Sequence, residues 1–254
     1  MTTAQQKHAV AKRFHNAADH YDALAHIQRQ AASLLARHLP QNPLQGLTLD
    51  AGCGTGHALV THLPANTIAL DFAPAMAKRA SAHTPRAICG DIEHLPLASH
   101  SLALYWSSLA WQWCSPHAAF VDAARVLKPG GHLLVATLGP ATLIELRAAF
   151  AAIDHARHVI DFASSDTLTQ AATHTGFTDI QLEHHTLTAW HPDLPTLLRA
   201  LKQLGAAEVG PLRRRGLMGK HAWQTLTQNY ERHRTPQGLP ASYDLILLTA
   251  RNSP

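Results

Sequence analysis

The chain has 254 residues, 46% of them hydrophobic and 15% charged, with a formal net charge of +4. That length suits one large α/β domain or one domain with an insertion, and the composition excludes a disordered chain. No run of about eighteen apolar residues exists and the polar start MTTAQQKHAVAKRF lacks an apolar signal core, so neither a membrane partner nor export is expected and the cytoplasm is the default compartment.

Apolar residues at Val10, Phe14, Ala17, Tyr21 and Leu24 recur at spacings of four, three, four and three, which is one face of a helix. A second face follows at Ile27, Ala31, Leu34 and Leu35 and stops before Pro40, so residues 1–40 read as an N-terminal helical cap. From Leu47 short apolar runs alternate with helical stretches. Strands are predicted at 47–51, 67–71, 86–89, 102–106 and 132–138, and helices at 56–63, 74–82 and 116–127. Ser115 before Pro116 reads as a helix N-cap, and Lys128-Pro129-Gly130-Gly131 as the stop of that helix. Helical patterns at 139–153 and 165–176 precede strands at 179–188 and 243–249. The stretch 191–240 between those strands is too long for a plain connection, and its helical patterns at 194–204 and 222–232 read as a lid insertion. The expected architecture is a single domain, 1–254, with its core at 45–190 and its last strand within 241–254. It is an α/β, doubly wound, mostly parallel sheet with a helical cap and a helical lid before the last strand.

Three cysteines, Cys53, Cys89 and Cys114, cannot all pair and none sits in a CxxC, so reduced thiols are expected. Twenty histidines are scattered. The closest groupings, His155 with His158 and His184 with His185, match neither HExxH nor a zinc ribbon, and no metal is expected. The basic balance permits a nucleic-acid partner without requiring one. Apart from Arg213-Arg214-Arg215 and nearby Lys220 the positive charge is dispersed, and no nucleic acid is expected.

The informative segment is Asp50-Ala51-Gly52-Cys53-Gly54-Thr55-Gly56, a strand running into a glycine-rich turn with a helix after it. Glycines there let the backbone approach a ligand and take positive φ without a Cβ clash. Asp71 ends the second strand, twenty-one residues after Asp50, where a carboxylate can accept bonds from both hydroxyls of a ribose. Asp91 and Ile92 end the third strand, where an acid and an apolar side chain can edge and cover an adenine. Each aspartate alone could be a strand-end cap. Together, at the carboxyl ends of consecutive strands, they predict a nucleoside site.

Asp50–Gly56, Asp71 with the following FAPAM, Asp91-Ile92 and LKPGG at 127–131 resemble the motifs of class I S-adenosylmethionine-dependent methyltransferases. The resemblance narrows in FHNAADHYDALAHIQRQ (14–30), GDIEHLPL (90–97), WSSLAWQWC (106–114), TLGPATLIELR (137–147), LLRALKQLGA (197–206) and GLPASYDL (238–245). These stretches resemble the malonyl-acyl-carrier-protein O-methyltransferases of biotin synthesis. That resemblance implies S-adenosylmethionine as cofactor, with Asp50, Gly52, Gly54 and Gly56 around its methionine part and Asp71 on its ribose. Met76 and Ile92 would flank the adenine, Asp91 would meet its amino group, and Ser107 would lie at the edge between cofactor and substrate. It further implies an acyl carrier protein bearing malonyl-phosphopantetheine as the partner. The family often has Asn where Ser108 stands and Asn within 158–161, so no substrate role is assigned to 158–161.

The implied reaction moves a methyl from a sulfonium to the free carboxylate of a malonyl thioester, which is ionised at neutral pH and needs no general base. The enzyme then supplies placement and a dry site. Arg147, after the TLGP loop, is the first candidate cation for the carboxylate. Tyr21, on the apolar face of the cap, is the second, and Arg213 in the insertion is the third, for a carboxylate or a phosphate. Each has a plain structural alternative as a solvated arginine or a packed ring. Trp111 and Trp113 are candidates for walls of the substrate passage, or simply core. A nicotinamide oxidoreductase would need GxGxxG, and base-modifying RNA methyltransferases carry other motifs after the fourth strand. A small-molecule methyltransferase of the quinone type stays open as the alternative.

Overall fold

A computed structural model describes residues 4–204 and 218–253. The chain opens with α1 (Ala4–Ala17), α2 (Tyr21–Leu24) and α3 (His26–Leu35). The core follows as β1 (Leu47–Ala51), α4 (His57–Thr61), β2 (Thr67–Asp71), α5 (Pro74–Ala80), β3 (Ala87–Cys89) and β4 (Leu102–Ser108). Then come α6 (Pro116–Val126), β5 (Leu127–Leu138), α7 (Ile144–Ala151), α8 (Ser165–His174) and β6 (Phe177–His191). The described chain ends with α9 (Leu194–Gln203), α10 (Lys220–Glu231) and β7 (Leu239–Asn252).

The seven strands order as β3-β2-β1-β4-β5-β7-β6. β1 to β5 run parallel, and β7 is antiparallel to both β5 and β6. Both faces of the centre are covered, so the central strands are nearly continuous apolar runs whose alternate residues serve different cores. Tyr105, Leu133, Val135, Ile246 and Leu248 pack with Phe120 and Ala123 of α6 and Leu168 of α8. Their neighbours Leu104, Trp106, Leu134, Ala136, Leu245 and Leu247 pack with Ala31 and Leu35 of α3 and Ala58 of α4.

Several boundaries differ from the sequence pattern. The single apolar face from Val10 to Leu24 is broken after Ala17, so the cap bends over the carboxyl ends of the strands. β5 starts at Leu127, five residues early, because Leu127 pairs with Leu102 ahead of a register shift. Ser115 takes the N-cap backbone of α6, yet its hydroxyl makes no capping bond; its N–H instead donates to Glu93 Oε1 at 2.7 Å.

A third core joins α7, α9 and α10 through Leu146, Phe150, Leu197, Leu201, Leu226 and Tyr230. It sits beside the turn after β5, where two of the distinctive sequence stretches meet. Gly139 N–H donates to the Asp244 carbonyl at 2.7 Å, and a Cβ at Gly139 would lie 2.3 Å from Asp244 Oδ2. Glu145 accepts from the Ser242 hydroxyl. TLGPATLIELR and GLPASYDL are thus specific because they fit each other. Among the described residues, no helix is long and apolar enough to cross a membrane.

Candidate active site

The turn after β1 is pinned on two sides. Gly52 and Cys53 N–H groups donate to the Leu70 carbonyl at 2.7 and 3.0 Å. Gly54 N–H donates to Asp71 Oδ2 at 2.9 Å, and the Thr55 hydroxyl donates to Asp22 Oδ1 at 2.6 Å. Gly52 has φ +81°, and a Cβ there would stand 2.2 Å from that of Ala110. Only glycine fits such a position. Gly56, with φ +95°, is the N-cap of α4 and turns the chain without lining a cavity described below.

Two cavities meet at this turn, and a third lies beside them across Tyr21. The first lies under α1 and gathers Gly52, Gly54, Asp71, Met76, Asp91 and Ile92, with Lys7 and Phe14 as its roof. The second contains Asp50, Cys53 and Thr55 with Gln28 of α3, and shares Gly52, Gly54 and Ser108 with the first. The third is larger, about 1360 Å³ of empty space against about 740 Å³ for the first. Leu146, Phe150, Leu198 and Leu201 give it apolar walls, and Phe14, Leu109 and Trp113 line both it and the first cavity. Tyr21 borders all three.

The carboxylates differ in electrostatics. Asp50 is only 2% exposed, and its Oδ2 has no hydrogen-bond partner among the described residues. Burial, reinforced by the Asp71 charge, pushes its pKa up to about 8. Asp71 is raised to about 6 by burial, held back by the N–H groups of Ala73 and Gly54. Asp91 Oδ2 accepts from Lys7 Nζ at 2.6 Å, and Lys7 also pairs with Glu93 at 2.7 Å. The Tyr21 phenol is pushed well up by burial and by the Asp71 and Asp22 charges, so it stays a protonated donor.

Ser107 is fully buried, and its hydroxyl donates to the Ala51 carbonyl at 2.6 Å. Ser108, one residue on and on the opposite side of the strand, lines the first two cavities instead. β4 runs two residues beyond the predicted 102–106, and that extension decides which serine reaches the edge. Arg147 does not face these cavities, contrary to its expected place over the cofactor. Its guanidinium donates to the Ile160 carbonyl and, at 3.4 Å, to the Thr142 carbonyl. It also stands 3.8 Å from Asp161 and over the Phe162 ring. The Ile160 carbonyl and the Asp161 carboxylate draw it outward, where it braces the 154–162 loop. Trp111 is core, its indole N–H on the Tyr105 hydroxyl at 3.2 Å, whereas Trp113 walls two cavities. Arg213, Arg214 and Arg215 lie outside the described residues; Lys220 is exposed at the start of α10.

Sequence reasoning missed Lys7, Gln28, Ser108, Arg157 and His158 as cavity residues. Only Lys7 had a legible signal, since it lies one helical turn before Val10 and Ala11 on the face that carries Phe14. Among the described residues no group of three or more His, Cys, Asp or Glu side chains is arranged to hold a metal.

Residues 49–135 match the methyltransferase domain family. The YcgJ protein of Bacillus subtilis superposes with a TM-score of 0.60 at 16% identity, covering 89% of this chain and 99% of that one, which speaks for the fold alone. The malonyl-[acyl-carrier protein] O-methyltransferase of Dechloromonas aromatica is 46% identical over 98% of this chain and 96% of its own length. That of Herminiimonas arsenicoxydans is 41% identical over 97% and 96%. With likeness of that degree along both chains, end to end, this protein belongs to the malonyl-[acyl-carrier protein] O-methyltransferase family.

Proposed function

We infer that this chain is an S-adenosylmethionine-dependent carboxyl O-methyltransferase that esterifies the free carboxylate of malonyl-acyl-carrier protein, a step of biotin synthesis in the cytoplasm. Full-length similarity to relatives of that name carries the reading. The cavities support it. An orphaned buried carboxylate oxygen on Asp50 suits the ammonium of an amino acid. Asp71 suits a ribose, Met76 and Ile92 an adenine face, and Asp91 an exocyclic amine. S-adenosylmethionine, when bound, supplies a methyl on a positively charged sulfur.

The remaining work falls to the protein. Tyr21, bordering all three cavities, donates a hydrogen bond where cofactor and substrate meet and removes no proton, since its phenol is held protonated. Phe14, Leu109 and Trp113 exclude water from the same junction, which strengthens attraction between the cofactor's positive charge and an anionic nucleophile. The malonyl carboxylate arrives ionised, so the reaction calls for no base. The third cavity, apolar on most of its walls, suits the malonyl thioester itself. Arg213, Arg214 and Arg215 are proposed to meet the acidic carrier protein, an attraction that salt screens.

Mass spectrometry of the purified protein with S-adenosylmethionine and malonyl-acyl-carrier protein tests the assignment. A gain of one methyl on the malonyl group, absent with acetyl-acyl-carrier protein, is expected. Methylation of a quinone or other small acid, with the malonyl thioester untouched, would favour the small-molecule alternative.

A further inference from the structure

The third cavity has a sign. Among its described lining residues are Arg13, Arg157 and His158, and no Asp or Glu. Arg157 and His158 also line an open groove on the other side of the loop, together with Asp154 and Asp161. These two side chains therefore form a wall, with the cavity before it and carboxylates behind it. His158 Nε2 lies 2.8 Å from Asp154 Oδ1, its ring stacks on Phe150 with centroids 3.5 Å apart, and its side chain is 12% exposed. Arg157 pairs with Asp161. Arg147 holds the loop through the Ile160 carbonyl.

Polar and charged groups drawn out of water are stable only when opposite charge or hydrogen bonds compensate them. Here the compensation comes from the outer side, which orients both groups and leaves the cavity side without an anion of the described chain. A ligand entering an apolar cavity with a carboxylate meets there the donors that carboxylates prefer.

We propose that Arg157 and His158 recognise the free carboxylate of the substrate and so select a malonyl over an acetyl thioester. This rests on the malonyl reading above and adds the residues that make the selection. Asp154 and Asp161 act as positioning residues behind them.

The test is calorimetric binding of malonyl-coenzyme A and acetyl-coenzyme A to the full chain saturated with S-adenosylhomocysteine. Both ligands carry the same phosphates, so their affinity ratio reports the carboxylate alone. Charge-assisted hydrogen bonds of this kind correspond to about a 10- to 100-fold preference for the malonyl ligand in the wild type. Arg157→Gln and His158→Gln should each reduce that ratio about tenfold or more, with acetyl-coenzyme A affinity and S-adenosylhomocysteine affinity within about twofold of wild type. Two independent variants keep the test open should one fail to fold. An unchanged ratio, or equal losses for both ligands as expected for phosphate contact or a structural role, overturns the proposal. If the wild type nevertheless methylates malonyl-acyl-carrier protein, the functional assignment stands without it. A wild type with no malonyl preference and no methylation overturns both.

Discussion

Replacing Asp50 with Asn removes a buried carboxyl while keeping its shape. In the folded protein this carboxyl has a pKa of about 8, against 3.8 as its ordinary value. A carboxyl whose folded pKa lies above its unfolded value keeps its proton longer in the folded state. Between those two values the folded state binds more protons, so stability falls as pH rises through the window. Each pH unit inside it costs about 1.36 kcal/mol, and the cost levels off near the folded pKa. From pH 5 to pH 8 the wild type should therefore lose about 3–4 kcal/mol that Asp50→Asn does not lose. Asp71 titrates in both proteins, so its contribution largely cancels in the difference. Urea unfolding of both ligand-free proteins at four pH values from 5 to 8 measures it. A difference that stays flat within about 0.5 kcal/mol would refute the idea that Asp50 is held protonated by burial. The same proton must leave when an ammonium pairs with Asp50. S-adenosylhomocysteine binding at neutral pH should then release close to one proton in the wild type and none from this site in Asp50→Asn, read by calorimetry in buffers of different ionisation enthalpy.

Asp71→Ala should weaken S-adenosylhomocysteine binding by about 2–4 kcal/mol, since it removes two charge-assisted bonds to the ribose and the acceptor that fixes Gly54; unchanged calorimetric affinity would remove the ribose from this residue. Tyr21→Phe keeps the ring and deletes the donor, so kcat should fall about 10- to 100-fold while cofactor affinity holds within about twofold; a normal kcat would make Tyr21 a packing residue. Arg147→Met releases the Ile160 and Thr142 carbonyls, and should cost about 1–3 kcal/mol of stability and raise KM for the malonyl substrate, with cofactor affinity intact. Thermal unfolding and steady-state kinetics separate that outcome from direct contact, in which kcat would fall with stability unchanged.

The sequence by itself determined the order of strands and helices, because apolar periodicity and breakers such as Pro116 and Gly130 act over a few residues. It also determined the glycine turn and the acids at Asp50, Asp71 and Asp91. A strand that ends at a ligand edge carries its polar residue at a fixed place in the local pattern. Which serine faces the edge depended on β4 running two residues beyond its predicted end, because neighbouring side chains of a strand face opposite ways. The direction of Arg147 was decided by the Ile160 carbonyl and Asp161 of the 154–162 loop, which no local pattern places beside it. The meeting of Lys7 with Asp91, of Gln28 with the Asp50 cavity, and of Arg157 and His158 with an apolar cavity beside α9 joins segments distant in the chain. Those juxtapositions follow from how α1 packs on α5 and how α3, α7 and α9 pack on the sheet, because only burial against a partner surface fixes where a long polar side chain can find its charge.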